Sequence, residues 1–148
     1  MRAVVQRVTE ASVAIDGETV GAIQNGLCVL LGVSTDDAEA DADYITEKLL
    51  GLRIFDDENG VPNKSVLDIS GAILLISQFT LLGDARKGRR PSYIHAARPE
   101  QAIPLYERCI AALRASVPVE TGRFGADMKV SIQNDGPFTI LLDSKKGF

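Results

Sequence analysis

The chain has 148 residues, enough for one domain built around one core. Hydrophobic residues make up 45% and charged residues 24%, as in an ordinary globular protein. The formal net charge of −4 argues against tight, non-specific binding to duplex nucleic acid, which depends on many phosphate contacts.

The apolar stretch after Met1 is short and interrupted by Gln6 and Arg7, so it does not read as a signal-peptide core. No later run is long enough to span a bilayer, and a cytoplasmic protein without a membrane partner is expected. Cys28 and Cys109 stand apart in apolar surroundings, which suggests two buried thiols in a reducing compartment and no disulfide framework.

The predicted elements begin with strands over residues 2–8 and 11–15. Asp16-Gly17 signals a tight hairpin, because Gly supplies the positive φ such turns need, and a strand near 18–23 follows. Asn25-Gly26 turns into Leu27-Cys28-Val29-Leu30-Leu31, an unbroken apolar run that predicts a strand buried on both faces. A helix is predicted over 37–50, capped by Asp36 with Glu39 at the capping-box position. Ala38, Ala42, Ile45 and Leu49 would form its core face. Residues 52–55 look extended and 56–60 form a turn. Ala72 to Ile76 is a second central strand. Pro99 opens another helix, where its missing N–H costs nothing, with Ala102, Leu105, Cys109, Ala112 and Leu113 as the apolar stripe. Strands near 127–133 and 138–143 close the chain. This order predicts a single α+β domain over 1–148: a mainly antiparallel or mixed sheet, open or barrel-like, with two packed helices.

The familiar hydrolytic kits are missing. There is no G-x-S-x-G elbow, no H-E-x-x-H motif and no Walker loop. His95 is the only histidine, so no His-rich metal site is expected, and nothing requires it to meet Ser77 or Thr80 as a base. Two segments stand out instead. Ser77-Gln78-Phe79-Thr80 follows a buried strand, where free N–H groups can hold an oxyanion and Phe79 can stack on a base. Equally, the polar residues could end the strand, with Phe79 in the core. Asn134-Asp135-Gly136-Pro137 reads as a hairpin turn between the last two strands. It can also be a site: Gly136 admits close approach of a ligand and Pro137 offers no N–H, so the tip presents acceptors only. Arg86, Lys87, Arg89 and Arg90 make a local basic run, either a solvated loop or a contact for a few phosphates.

These two segments resemble the D-aminoacyl-tRNA deacylases. The likeness extends to Arg7-Val8 with Ala11-Ser12-Val13, to Gly51-Leu52-Arg53-Ile54-Phe55, to Lys87-Gly88 with Arg90-Pro91-Ser92, and to Gly122-Arg123-Phe124-Gly125-Ala126-Asp127-Met128. Phe138 stands where smaller residues are familiar. The resemblance implies a homodimer without cofactor or metal. A cis Gly136-Pro137 would reach into the partner subunit's pocket, lined by Ser77, Gln78, Phe79 and Thr80 with Met128 nearby. The implied substrate is the 3′-terminal adenosine of tRNA carrying a D-amino acid, with glycyl-tRNA mischarged on tRNA(Ala) as a second. Hydrolysis would be RNA-assisted, with Thr80 positioning the substrate, and the Gly136-Pro137 tip would reject L-aminoacyl groups. Arg7 could hold the Gly-Pro carbonyls, or be an ordinary surface arginine, and Arg86, Lys87 and Arg89 would contact the acceptor stem. Three other readings remain open at this level: a related deacylase with a trans Gly-Pro that removes a small L-amino acid, a non-catalytic module that binds RNA ends, and a hydrolase of small D-amino acid esters.

Overall fold

In the computed structural model, which describes residues 1–148, strand β1 runs unbroken from Arg2 to Ile15. The two predicted strands are therefore one. Thr9 interrupts the pattern between them: it is exposed and drops out of the ladder to the last strand, where the register shifts. β2 (Glu18–Ile23) returns antiparallel on the C-terminal half of β1, and β3 (Gly26–Gly32) on its N-terminal half.

β6 (Ala72–Ser77) lies parallel to β3, pairing Leu27 with Ile73 and Leu31 with Ser77. Successive strand residues point to opposite faces. Leu27, Val29, Leu31, Ile73 and Leu75 join the larger core under the helices. Cys28, Leu74 and Ile76 join a smaller core with Val8, Val13 and Ile23. Burial on both sides explains the unbroken apolar runs.

β7 (Val119–Thr121) extends the sheet in parallel beside β6, giving the order β2-β1-β3-β6-β7. The sheet curls until its two end strands meet: a Cβ on Gly21 of β2 would stand 2.8 Å from the Thr121 carbonyl oxygen. The result is the mixed, barrel-like sheet expected. A small hairpin of β4 (Phe55–Asp56) and β5 (Pro62–Lys64) stands apart. The Asp57 carboxylate closes its turn by accepting from the Asn59 and Val61 N–H groups.

Helix α1 spans Glu39–Gly51 and starts later than predicted. Asp36 does not cap it; its carboxylate accepts from the Ser34 hydroxyl at 2.7 Å. Asp37 is drawn away by the Met1 ammonium at 2.6 Å, a buried ion pair. Ala38 takes the N-cap position without a side-chain bond, and Asp41, not Glu39, reaches back to the Ala38 N–H at 2.8 Å. Ala38 is exposed, while Ala42, Ile45 and Leu49 are buried as expected. Helix α2 (Pro99–Arg114) opens on Pro99 and buries Ala102, Leu105, Tyr106, Cys109 and Leu113, leaving Ala112 half-buried. No helix is long and apolar enough to cross a membrane.

The final strand, β8 (Lys129–Asp143), corrects a second expectation. The predicted strands 127–133 and 138–143 are one strand, antiparallel to β1 from Asp143 opposite Arg2 to Lys129 opposite Ala14. Asn134 to Pro137 is therefore no hairpin turn. Between Thr139 opposite Gln6 and Asn134 opposite Val8, β8 advances five residues while β1 advances two. The surplus bulges out of the ladder and carries Gly136-Pro137 at its tip, with a cis peptide bond between them.

Candidate functional site

The end of β6 makes the first half of the site. The Gln78 N–H donates to the Leu31 carbonyl at 2.8 Å, and the chain then winds into a 3-10 turn over Phe79–Leu82. Leu81 N–H donates to Gln78 O at 3.3 Å and Gly83 N–H to Thr80 O at 2.9 Å. The first N–H groups of such a turn, those of Phe79 and Thr80, have no partner inside it.

Beside this turn opens a cleft of about 240 Å³. Ser77, Gln78 and Phe79 line one wall, and Phe124, Gly125, Ala126 and Met128 line the other. Phe79 is 55% exposed, so it is a wall of the cleft and not a core residue. The Gln78 side-chain amide donates to the Thr80 hydroxyl, and Thr80 faces solvent without lining the cleft. The Met128 sulfur lies directly against Gly122, where any Cβ would overlap it. Behind the cleft, Tyr106 packs on Phe124 with ring centroids 6.0 Å apart and donates its hydroxyl to Leu75 O at 2.8 Å. Burial pushes the Tyr106 hydroxyl up to about 12, so it serves as a fixed donor and not as an acid.

No acidic, basic or histidine side chain lines this cleft. Its chemistry is therefore that of hydrogen-bond donors and a shaped wall, suited to holding a developing oxyanion and a flat ligand. His95 lies elsewhere, in a larger basin of about 600 Å³ with Arg2, Asp84, Arg86, Asp143 and Lys145. A hydroxyl–histidine pair is thus not assembled in the cleft. The basin's charges largely cancel, since Arg86 is paired with Asp84 at 2.6 Å and Lys145 with Asp41 at 3.0 Å. Burial keeps Cys28 and Cys109 protonated, raising each to about 12. No group of three or more His, Cys, Asp or Glu side chains is placed to hold a metal ion.

The tip of β8 is the second candidate segment. Asn134 braces the bulge: its carbonyl oxygen accepts from Phe138 N–H at 2.7 Å and its amide donates to the Thr139 hydroxyl at 3.0 Å. Arg7, with a side chain only 11% exposed, braces the base of the bulge. Its Nε donates to the Asp135 carbonyl at 2.9 Å and its Nη1 to the Ile54 carbonyl at 2.8 Å. Its guanidinium lies 4.7 Å from the centre of the Phe138 ring. Arg7 thus grips the carbonyl one residue before Gly136, not those of Gly136 and Pro137 themselves.

One chain brings Ser77, Gln78, Phe79 and Met128 together, but it does not bring the tip to them: Gly136 and Pro137 are exposed and line no part of the cleft. In the basic run, Arg86 is committed to Asp84, through bonds of 2.9 and 2.6 Å. That guanidinium holds the Asp84 carboxyl far below the usual carboxylate range. Lys87 and Arg89 are exposed. Composition and periodicity did not mark Phe124, Gly125 and Ala126 as cleft residues; the motif ending at Met128 was the only signal that contained them.

The D-Tyr-tRNA(Tyr) deacylase family matches residues 4–143. The chain is 59% identical over 149 aligned positions to the D-aminoacyl-tRNA deacylase of Thermosipho africanus, covering 100% of both chains. It is 60% identical to the protein of that name from Koribacter versatilis, again over 100% of both. Among solved structures, one described as c-Myc DNA Unwinding Element Binding Protein superimposes with a TM-score of 0.92 at 46% identity, over 97% of this chain and 98% of that one. Another, described as a "probable eukaryotic D-amino acid tRNA deacylase", shares the fold with a TM-score of 0.83 at 18% identity, over 95% and 97% of the two chains. With a family match across nearly its whole length and such identity to full-length relatives, the chain belongs to the D-Tyr-tRNA(Tyr) deacylase family.

Proposed function

We propose that the protein hydrolyses the ester of D-aminoacyl-tRNA in the cytoplasm, releasing the D-amino acid and tRNA. The observation that carries this is the cleft at the end of β6, lined by Ser77 and Gln78 with no ionisable side chain, beside a 3-10 turn whose first N–H groups have no partner inside it. The 3′-terminal adenosine sits against Phe79, with Met128 opposite. Water attacks the ester carbonyl carbon, and the N–H groups of Phe79 and Thr80 receive the oxyanion. The bond to the ribose oxygen then breaks, and that oxygen leaves with the proton the water lost, relayed by the neighbouring ribose hydroxyl. Thr80 positions the substrate and takes no proton.

Chiral selection is assigned to Gly136-Pro137 of a second subunit. The exposure of the tip and its absence from the lining of its own cleft support this division between two chains. Its carbonyls accept from the α-ammonium and fill the space an L side chain needs. Glycine has no side chain to reject, so glycyl-tRNA is a second substrate. Lys87 and Arg89 meet acceptor-stem phosphates. Arg86 adds less, because Asp84 already neutralises it.

The test is deacylation of matched D- and L-tyrosyl-tRNA. Release of the D-amino acid with the L-ester left intact supports the reading. Binding of tRNA without cleavage, or equal loss of both esters, refutes it. Neutralising Lys87 and Arg89 together is expected to weaken tRNA binding and flatten its salt slope by about one per lost contact.

A further inference from the structure

The loop that follows the cleft wall carries a second feature. Tyr93 and Ile94 are 40% and 75% exposed, and Tyr93 lies beside Phe79. The Phe79 and Tyr93 rings meet edge to face, 5.2 Å apart at 71°, and this contact fixes the exposed Tyr93 ring beside the cleft wall. Tyr93 is held in place from behind. A Cβ on Gly83 would come within 3.0 Å of its ring, and its carbonyl accepts from the Ala96 N–H at 3.0 Å. The loop between is drawn closed by Asp84 and Ser92, which exchange backbone bonds of 2.8 Å in both directions. Lys87, Arg89 and Arg90 project from that closed loop, all exposed.

Stacking rings beside unpaired cations are what a single-stranded nucleic acid needs: faces for its bases and charge for its backbone. Phe79 belongs both to the cleft wall and to the aromatic pair, so the two surfaces are continuous. We propose that Tyr93, held edge to face by Phe79, forms a stacking platform for the unpaired base that precedes the terminal nucleoside of an RNA 3′ end. The backbone of that strand then passes Arg90 on its way to the acceptor stem, where Lys87 and Arg89 meet the phosphates. This inference rests on the function proposed above and adds a positioning residue to it.

The experiment compares wild type with Tyr93→Ala and Tyr93→Phe on two esters, D-tyrosyl-tRNA and D-tyrosyl-adenosine. The shorter ester has the terminal nucleoside but no preceding base. Tyr93→Ala is expected to raise KM for the tRNA ester about tenfold or more, the loss of one stacked base, with little change in kcat. It leaves the adenosine ester unaffected, and Tyr93→Phe keeps the platform. A separate arm measures binding of the uncharged oligoribonucleotide ACCA, which Tyr93→Ala weakens by a similar factor. An equal KM rise on both esters, unchanged values on both, or a shift from dimer to monomer on ultracentrifugation overturns the platform. Should wild type cleave neither ester, the deacylase reading falls, and the ACCA arm alone decides the platform: equal binding by wild type and Tyr93→Ala overturns it.

Discussion

Replacing Arg7 by Ala removes the brace at the base of the β8 bulge. Two hydrogen bonds from a charged donor disappear, at 2.9 Å to Asp135 O and 2.8 Å to Ile54 O, with a cation–π contact at 4.7 Å to Phe138. Hydrogen bonds to charged groups contribute about 1.5–3 kcal/mol each, and a half-desolvated cation–π contact about 1 kcal/mol. The Asp135 bond is solvent-exposed, so its share lies at or below the bottom of that range. A total loss of about 3 kcal/mol in stability follows, roughly half of it at the tip. Because misplacement by an ångström can cost a hundredfold in an organised site, the tip share corresponds to roughly a tenfold fall in D-over-L selectivity. Initial deacylation rates on D- and L-tyrosyl-tRNA, with urea midpoints for the same protein, read both numbers. Arg7→Lys is expected to fall between, since an ammonium lacks the planar fork that reaches two carbonyls. A stability loss of the expected size with an unchanged D-over-L ratio would refute the link between the brace and chiral selection.

Gly122→Ala forces the Met128 sulfur out of its seat, and the free direction is into the cleft. We expect KM for D-tyrosyl-tRNA to rise several-fold with little change in melting temperature, and Met128→Ala in the same chain to reverse most of it. Gly26→Ala places a Cβ onto the Ala72 backbone, within 2.8 Å of both its carbonyl carbon and its nitrogen, in the central parallel pair. Neither strand can retreat, so urea unfolding should show a loss of more than about 3 kcal/mol or no folded protein. Burial pushes the Asp41 carboxyl up, but the Ala38 N–H, Ser144 and Lys145 outweigh it and bring it from 3.8 down to about 2. A folded-state value below the unfolded one stabilises at neutral pH and is lost as the solution acidifies from about pH 5 toward 2. Asp41→Asn is expected to remove about 2 kcal/mol at pH 7 and to flatten the acid limb of the stability curve, as measured by urea unfolding at each pH.

Periodicity exposed both helices and the two buried strands, because burial is written directly into residue spacing. Leu27 to Leu31 and Ala72 to Ile76 read correctly since each must fill a core on either side. Long-range partners were not legible. Asp36 looks like a cap until Met1, distant in sequence, claims its neighbour Asp37. Thr9 and Glu10 look like a break, yet β1 continues through them because β8 pairs on both sides of the gap. The same pairing turned a convincing turn signal at Gly136-Pro137 into a bulge. In the cleft, Ser77 to Phe79 were legible from the strand they end. Tyr93 was not, because its place depends on the Asp84–Ser92 closure and on contact with Gly83.

Because the tip is a bulge and not a free turn, both its flanks are zipped to β1, and β1 is zipped to β3, which carries β6 and the cleft. The tip proposed to discriminate and the cleft proposed to cut therefore stand on one continuous ladder. A chain that frayed enough to lose the tip would also loosen the strand that builds the cleft. In the two-subunit arrangement proposed above, such a chain would fail in two places at once, weakening its own cleft and withdrawing the tip from its partner's.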